Sequence, residues 1–311
     1  MTENIIDIVS LETIPYLTLR MKILYRVIII NPNYLRLFHY QLEMKMFLLN
    51  GKRIIVTGAS RGIGFGISKI LARHGALLYL TSLSPNRLEK AVQKIEQDPD
   101  TRGKVVGYTA ADLSKPGNGS RIVKEALESM NGLDGIVYVP PPPPQGFFDE
   151  LTLEDWKHSS QVLIHSAIEI VKTALDSLKE SARLHRNPGI VFVTSIAAWE
   201  PDPVITTSSA LRIALHGLTQ VLARDLGRYG IRVNAIVPGY ILTDRLMSLA
   251  AKRMPDNPER YLDSLRGKIP LGRIGTTEDM GYAALFLLSD LSSYINGAII
   301  PVDGGLHRKT I

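Results

Sequence analysis

From residue 53 onward, seven short aliphatic or β-branched runs punctuate the chain: Arg53–Val56, Ala76–Thr81, Lys104–Thr109, Gly135–Val139, Gly189–Thr194, Ile231–Val237 and Ala298–Val302. Stretches of helical character separate them. Short buried strands alternating with helices predict an α/β fold, a three-layer, doubly wound parallel sheet in one domain. No internal repeat and no Ser-rich linker interrupts the pattern. One low-complexity feature stands out, the run Pro140–Pro144 directly after the fourth strand. Such a run is stiff polyproline II and offers no backbone N–H donors.

Residues 1–45 read differently. The apolar stretch Ile14–Ile30 is broken by Arg20, Lys22 and Arg26 and is followed by Asn31-Pro32-Asn33. A membrane-spanning helix wants about 20 residues with few or no charges, and no basic start, clean apolar core and small-residue cleavage site mark a secretory signal. Three readings stay open: an extension packing on a partner, a surface-seeking amphipathic segment, or upstream sequence that is not translated, with Met44 or Met46 as the start. The domain is expected over 46–311.

Composition narrows the function classes. With 45% hydrophobic and 21% charged residues and a net charge of 36 − 30 = +6, the bulk of the 311 residues is globular. The absence of cysteine removes disulfides, thiolate metal sites and cysteine nucleophiles, and favours an intracellular, cytoplasmic setting. The seven histidines are scattered without ligand spacing, so no metal site is expected. Basic residues are interleaved with acids, which reads as a solvated surface; neither a nucleic-acid nor a membrane partner is expected.

The sharpest chemistry lies after the first strand. Thr57-Gly58-Ala59-Ser60-Arg61-Gly62-Ile63-Gly64 leads into a helical stretch ending at Arg73. Glycines let the backbone approach a pyrophosphate, and a helix N-terminus supplies free N–H groups and a positive dipole end. At the end of the second strand an acid would grip the ribose hydroxyls of NAD. Thr81-Ser82-Leu83-Ser84 stands there instead, and Arg61 can pair with a 2′-phosphate, so NADP(H) is favoured over NAD(H).

The string of motifs over about residues 50–308 resembles the short-chain dehydrogenase/reductase family. TGASRGIG at 57–64 is similar to its TGxxxGxG turn, Ala111-Asp112-Leu113 to the segment at the adenine, and Ile231–Gly239 to its IRVNxIxPG strand and turn. The tail from Ile269-Pro270-Leu271-Gly272-Arg273 through Pro301–Gly305 resembles 3-oxoacyl-acyl-carrier-protein reductases and glucose dehydrogenases. The resemblance implies a Rossmann-type domain, a homo-oligomer (dimer or tetramer), a small-molecule substrate and an NAD(P)(H) cofactor. It places Gly58, Ser60, Arg61, Gly62, Ile63, Gly64, Ser82, Asp112, Leu113, Arg212, Pro238, Gly239, Ile241 and Thr243 at that cofactor, Thr243 as the carboxamide contact.

The catalytic positions depart from the family's pattern of Asn, Ser and Tyr-x-x-x-Lys. The Ser position is Ser195, the Tyr position Ser208, the Lys position Arg212 and the Asn position Leu163, while Tyr138-Val139-Pro140-Pro141 replaces the NNAG segment. A serine hydroxyl is much less acidic than a tyrosine's, and arginine stays protonated and cannot relay a proton. Dienoyl-CoA reductases are a family precedent for a missing Tyr, although they keep the Lys. Three hypotheses follow. In the first, a rebuilt oxidoreductase uses Ser195 and Ser208 to hold a carbonyl or conjugated oxygen and Arg212 to fix ribose and stabilise charge, with Tyr240, His165 or water giving the proton. The second is a catalytically silent cofactor-binding homologue, a sensor or structural subunit. The third is an interaction module with a vestigial cleft, in which the proline run fills the groove or serves an aromatic-lined partner. Residues Ile241–Lys268 occupy the family's substrate-covering region and read as an amphipathic helix pair or a lid steering an acidic or CoA-linked substrate.

Overall fold

The computed structural model describes residues 47–308; the extension 1–45 lies outside them. Seven strands form one sheet: β1 (Arg53–Val56), β2 (Leu77–Ser82), β3 (Lys104–Ala110), β4 (Gly135–Tyr138), β5 (Gly189–Val193), β6 (Arg232–Pro238) and β7 (Ile299–Val302). Every pairing is parallel, in the order β3-β2-β1-β4-β5-β6-β7. The order reverses between β1 and β4, and at such a switch point the carboxyl ends of the strands open a crevice.

Nine α-helices are described: α1 (Gly62–Arg73), α2 (Pro85–Glu96), α3 (Asn118–Met130), α4 (Leu153–Ser160), α5 (Ser166–Arg183), α6 (Thr206–Gly227), α7 (Asp244–Arg253), α8 (Pro258–Arg266) and α9 (Thr277–Leu288). Helices α1, α2 and α9 cover one face through Ile67, Ile70, Leu88, Val92 and Leu285. Helices α3, α5 and α6 cover the other through Ile122, Ala126, Ile170, Ala174 and Leu215. Glycines bring α1 and α9 together: a Cβ on Gly66 would lie 2.3 Å from the Thr277 side chain, and one on Gly281 would lie 2.5 Å from Ile70. Side chains buried on both faces explain why the strands read as near-continuous apolar runs.

The strand ends shift from the sequence expectation for local reasons. Ala76 is outside β2 because its amide closes the end of α1 on the Leu71 carbonyl. Val139 drops out of β4 because the Thr57 hydroxyl takes both its groups, accepting from its amide at 2.8 Å and donating to its carbonyl at 2.9 Å. Pro140 then ends the ladder. Residues 241–268 fold as the anticipated helix pair, α7 and α8, around Leu246, Ala250, Leu262 and Leu265. Among the described residues no helix is long and apolar enough to cross a membrane.

Between α4 and α5 the helix opens into a π turn over Gln161–His165. The Val162 carbonyl accepts from the Tyr138 hydroxyl at 2.6 Å. Tyr138 is fully buried, packs edge-on against Phe192, and burial raises its phenol pKa. At the opposite, amino ends of the strands, buried Asp134 accepts from Arg53, Arg186 and the Ser181 hydroxyl at 2.7–2.9 Å. Burial alone would raise its pKa, but those donors hold the carboxyl far below the usual range.

Candidate active site

The turn after β1 is shaped for close approach. Gly58 and Gly62 have φ of +60° and +55°, a region that favours glycine. A Cβ on Gly64 would fall 2.3 Å from the Gly58 carbonyl oxygen. Arg61 occupies the N-cap of α1 in extended conformation, and no side chain caps the helix. Its first amides and dipole end therefore face the crevice. Ser60 and Ser82 hydroxyls meet at 2.7 Å. Beside them the Thr81 hydroxyl is buried without a partner on the wall of the same crevice. A phosphate-rich dinucleotide fits this set: a cradle that only glycine permits, an open helix end and an orphaned hydroxyl.

The crevice has a volume of about 510 Å³. Its lining includes Gly58, Ser60, Arg61, Gly62, Ile63, Gly64, Ser82, Asp112, Leu113, Arg212, Pro238 and Thr243, so most of the sequence-predicted cofactor residues converge. Two do not reach it. Gly239 lies behind the wall, where a Cβ would meet Asp303 at 2.7 Å, and Ile241 is buried in the core beside Gly275. Thr243 caps α7, and a Cβ on Gly62 would touch its methyl at 3.5 Å. Asp112 accepts from the Ser114 amide at 2.9 Å; burial would raise its pKa, but the Ser114 amide and hydroxyl pull it below the usual value.

Four arginines line the crevice: Arg61, Arg87, Arg212 and Arg245. Among the described residues none of them forms an ion pair. Arg87 follows Ser82 by five residues, in the first turn of α2, and Arg245 follows Thr243 by two, in the first turn of α7. Neither Arg87 nor Arg245 is among the sequence-predicted site residues; their spacing from Ser82 and Thr243 is the available signal. Burial lowers the Arg245 pKa and the neighbouring positive charge of Arg61 lowers it further. His158, exposed on α4, also faces the crevice.

The catalytic candidates separate. Arg212 is 8% exposed and lines the crevice. Its Nε donates to Ser208 Oγ at 2.8 Å, and its Nη1 to the Thr194 and Val193 carbonyls at 2.8 and 3.4 Å. Burial, then the charge of Arg245, lowers its pKa to about 10, so it is a cation at neutral pH. Ser208 sits behind Arg212 and is not on the crevice wall. Ser195 is not on it either: its hydroxyl caps the short turn Ile196–Ala198, accepting from the Ala197 amide at 3.2 Å. Leu163 is fully buried in the π turn.

Neither side chain considered as proton donor reaches the crevice. Tyr240 lines a second pocket with Pro270, Leu271, Arg273 and Asp303, and His165 is exposed on the π turn. Pro140–Pro142 do form part of the wall. The run is anchored where Thr207 donates to the Pro144 carbonyl at 3.1 Å and Thr206 to the Gly146 carbonyl at 3.0 Å. It walls the crevice without filling it.

Comparison with known proteins follows the same outline. A family profile described as "Enoyl-(Acyl carrier protein) reductase" matches residues 58–307. The 3-oxoacyl-[acyl-carrier-protein] reductase FabG of Chlamydia muridarum is 32% identical over 259 residues, 83% of this chain and 98% of that protein. Among solved structures, the L-sorbose reductase of Gluconobacter frateurii, complexed with NADPH and L-sorbose, superposes with a TM-score of 0.78 at 25% identity, covering 85% of this chain and all of that one. An NADPH-bound short-chain oxidoreductase of Pseudomonas aeruginosa PAO1, described as containing an atypical catalytic center, superposes at 0.74 and 27% identity, covering 84% and 100%.

Proposed function

The chain belongs to the short-chain dehydrogenase/reductase family of nicotinamide-dependent oxidoreductases, and from that premise we propose that it exchanges hydride between NADP(H) and a small carbonyl or hydroxyl compound bound beside Arg212. The observation that carries the cofactor choice is the absence of a carboxylate at the end of β2. Ser82 and Ser84 stand there, flanked by two arginines, Arg61 and Arg87, that have no acidic partner among the described residues. Paired guanidiniums without a competing carboxylate favour a 2′-phosphate over a free hydroxyl. The NADPH-bound relatives support the same choice.

The bound nicotinamide supplies or accepts the hydride. Gly58, Gly62 and Gly64 with the open end of α1 hold the pyrophosphate, Asp112 and Leu113 border the adenine, and Pro238 and Thr243 border the nicotinamide. At the reacting end Arg212 provides a fixed positive field, which stabilises charge developing on a substrate oxygen. Ser208 accepts from Arg212 Nε and so braces the guanidinium from behind, and water entering by the exposed rim of the crevice carries the proton. Exposed apolar side chains on α6 (Ile213, Val221) and α9 (Tyr282, Phe286) support assembly as a homo-oligomer.

Calorimetric titration of the full chain with NADPH and NADH tests this reading. NADPH is expected to bind about tenfold or more tightly than NADH, and the double variant Arg61→Ala/Arg87→Ala is expected to lose that preference. Absence of binding by either cofactor overturns the reading.

A further inference from the structure

We propose that the substrate carries a carboxylate and that Arg212 is the group that receives it. This rests on the reading of the crevice as a reaction site, and narrows its substrate to an organic acid bearing a carbonyl or hydroxyl group.

Arg212 is more than nine-tenths buried and lines the crevice. Among the described residues its hydrogen-bond acceptors are all neutral oxygens: Ser208 Oγ and the carbonyls of Val193 and Thr194. Its Nη2, with two N–H donors, has no protein partner among the described residues. A cation this buried has given up most of its hydration without gaining a counter-ion. The three acceptors on Nε and Nη1 fix the plane of the guanidinium, so Nη2 is already oriented and little side-chain freedom remains to be lost on binding.

The surroundings restrict what can satisfy it. Val193, Pro238 and the proline wall are neighbours on the crevice lining, and prolines bring no N–H of their own. Arg245 adds a second positive charge within electrostatic reach of Arg212 and pairs with no acid, although Asp244 is its neighbour in the chain. Nicotinamide ribose hydroxyls can accept an N–H from Arg212 but leave its charge uncompensated. A carboxylate accepts from Nη2 and offsets the repulsion between the two arginines. Arg61 and Arg87 line the end of the crevice marked by Ser60 and Ser82, and Arg245 lies within electrostatic reach of both Arg61 and Arg212, which leaves Arg212 as the arginine of the substrate end.

The test uses matched acids and amides: oxamate with oxamide, and benzoate with benzamide. Each is titrated calorimetrically into the full chain with and without saturating NADP⁺. At least one carboxylate is expected to bind about tenfold or more tightly than its amide. Arg212→Gln is expected to reduce that preference to about twofold, and Arg212→Lys, which keeps the charge but loses the fork, to leave about a third of it. Equal affinity within both pairs, no binding by any member, or an undiminished preference in Arg212→Gln overturns the proposal. NADPH titrated separately into each protein reports on the oxidoreductase reading, and the carboxylate preference of the cofactor-free protein is decided independently of it. Where Arg212→Gln does not fold, by circular dichroism, the wild-type preference and the Arg212→Lys loss decide.

Discussion

Arg232 and Arg212 are both buried arginines without a salt bridge, one at the foot of the sheet and one at its head. Arg232, at the start of β6, donates from Nε to Asn187, from Nη1 to the Leu287 carbonyl and to Ser292, and from Nη2 to the Ser289 carbonyl. Each of its nitrogens is engaged. Arg212 engages Nε and Nη1 and leaves Nη2 to the crevice. The first arginine ties β6 to the end of α9, and the second holds a donor in reserve. Full satisfaction marks a side chain that serves the fold, and an open donor on a buried cation marks one that serves a ligand.

The contrast is broken most sharply at the foot. Asp134→Ala leaves Arg53 and Arg186 without their carboxylate, and is expected to lower unfolding free energy by about 3–5 kcal/mol in urea denaturation. Next comes pH. Burial pushes His216 down to about 4, whereas the unfolded chain protonates near 6.5. The native state thus stays neutral while the unfolded state gains a proton, and stability falls as pH drops from 6.5 to 4, by about 3 kcal/mol. His216→Gln is expected to flatten that part of the profile. Asp134 works in the same direction at lower pH, its contribution present above the usual carboxylate range and lost as pH falls through its depressed value.

Arg232→Met is expected to cost about 2–3 kcal/mol, since it strands several buried oxygens. Arg212→Met is expected to change stability by less than about 1 kcal/mol, because removing an uncompensated charge offsets the lost hydrogen bonds. Thermal melts of the two variants side by side measure the difference. A larger loss for Arg212→Met than for Arg232→Met would reverse the assignment of roles.

Much of this was legible in the chain. Every strand end falls within one residue of the predicted one, because apolar runs bounded by glycine, proline and helix caps leave little freedom. The glycine turn, Asp112 and Thr243, far apart in the chain, line one crevice. What could not be read was orientation. Chain position placed Ser195 at a strand end, but its hydroxyl turns to cap Ile196–Ala198. Gly239 and Ile241 belong to the motif around Thr243, yet they support the wall from behind. Tyr240 and His165 were chosen for their chemistry and face elsewhere, whereas Arg87 and Arg245 acquire their meaning only when helix starts distant in sequence meet across one crevice.

The π turn over Gln161–His165 has a consequence for phase. A regular helix advances about 100° per residue, and a π turn inserts one extra residue into that count. Helix α5 can therefore present Ile170, Ala174 and Leu178 to the sheet while α4 turns His158 to the crevice. Closing the turn by deleting one residue would straighten the rod and swing one of these two faces about a quarter-turn out of alignment. Sheet packing and crevice lining are in this way geared to each other through five residues.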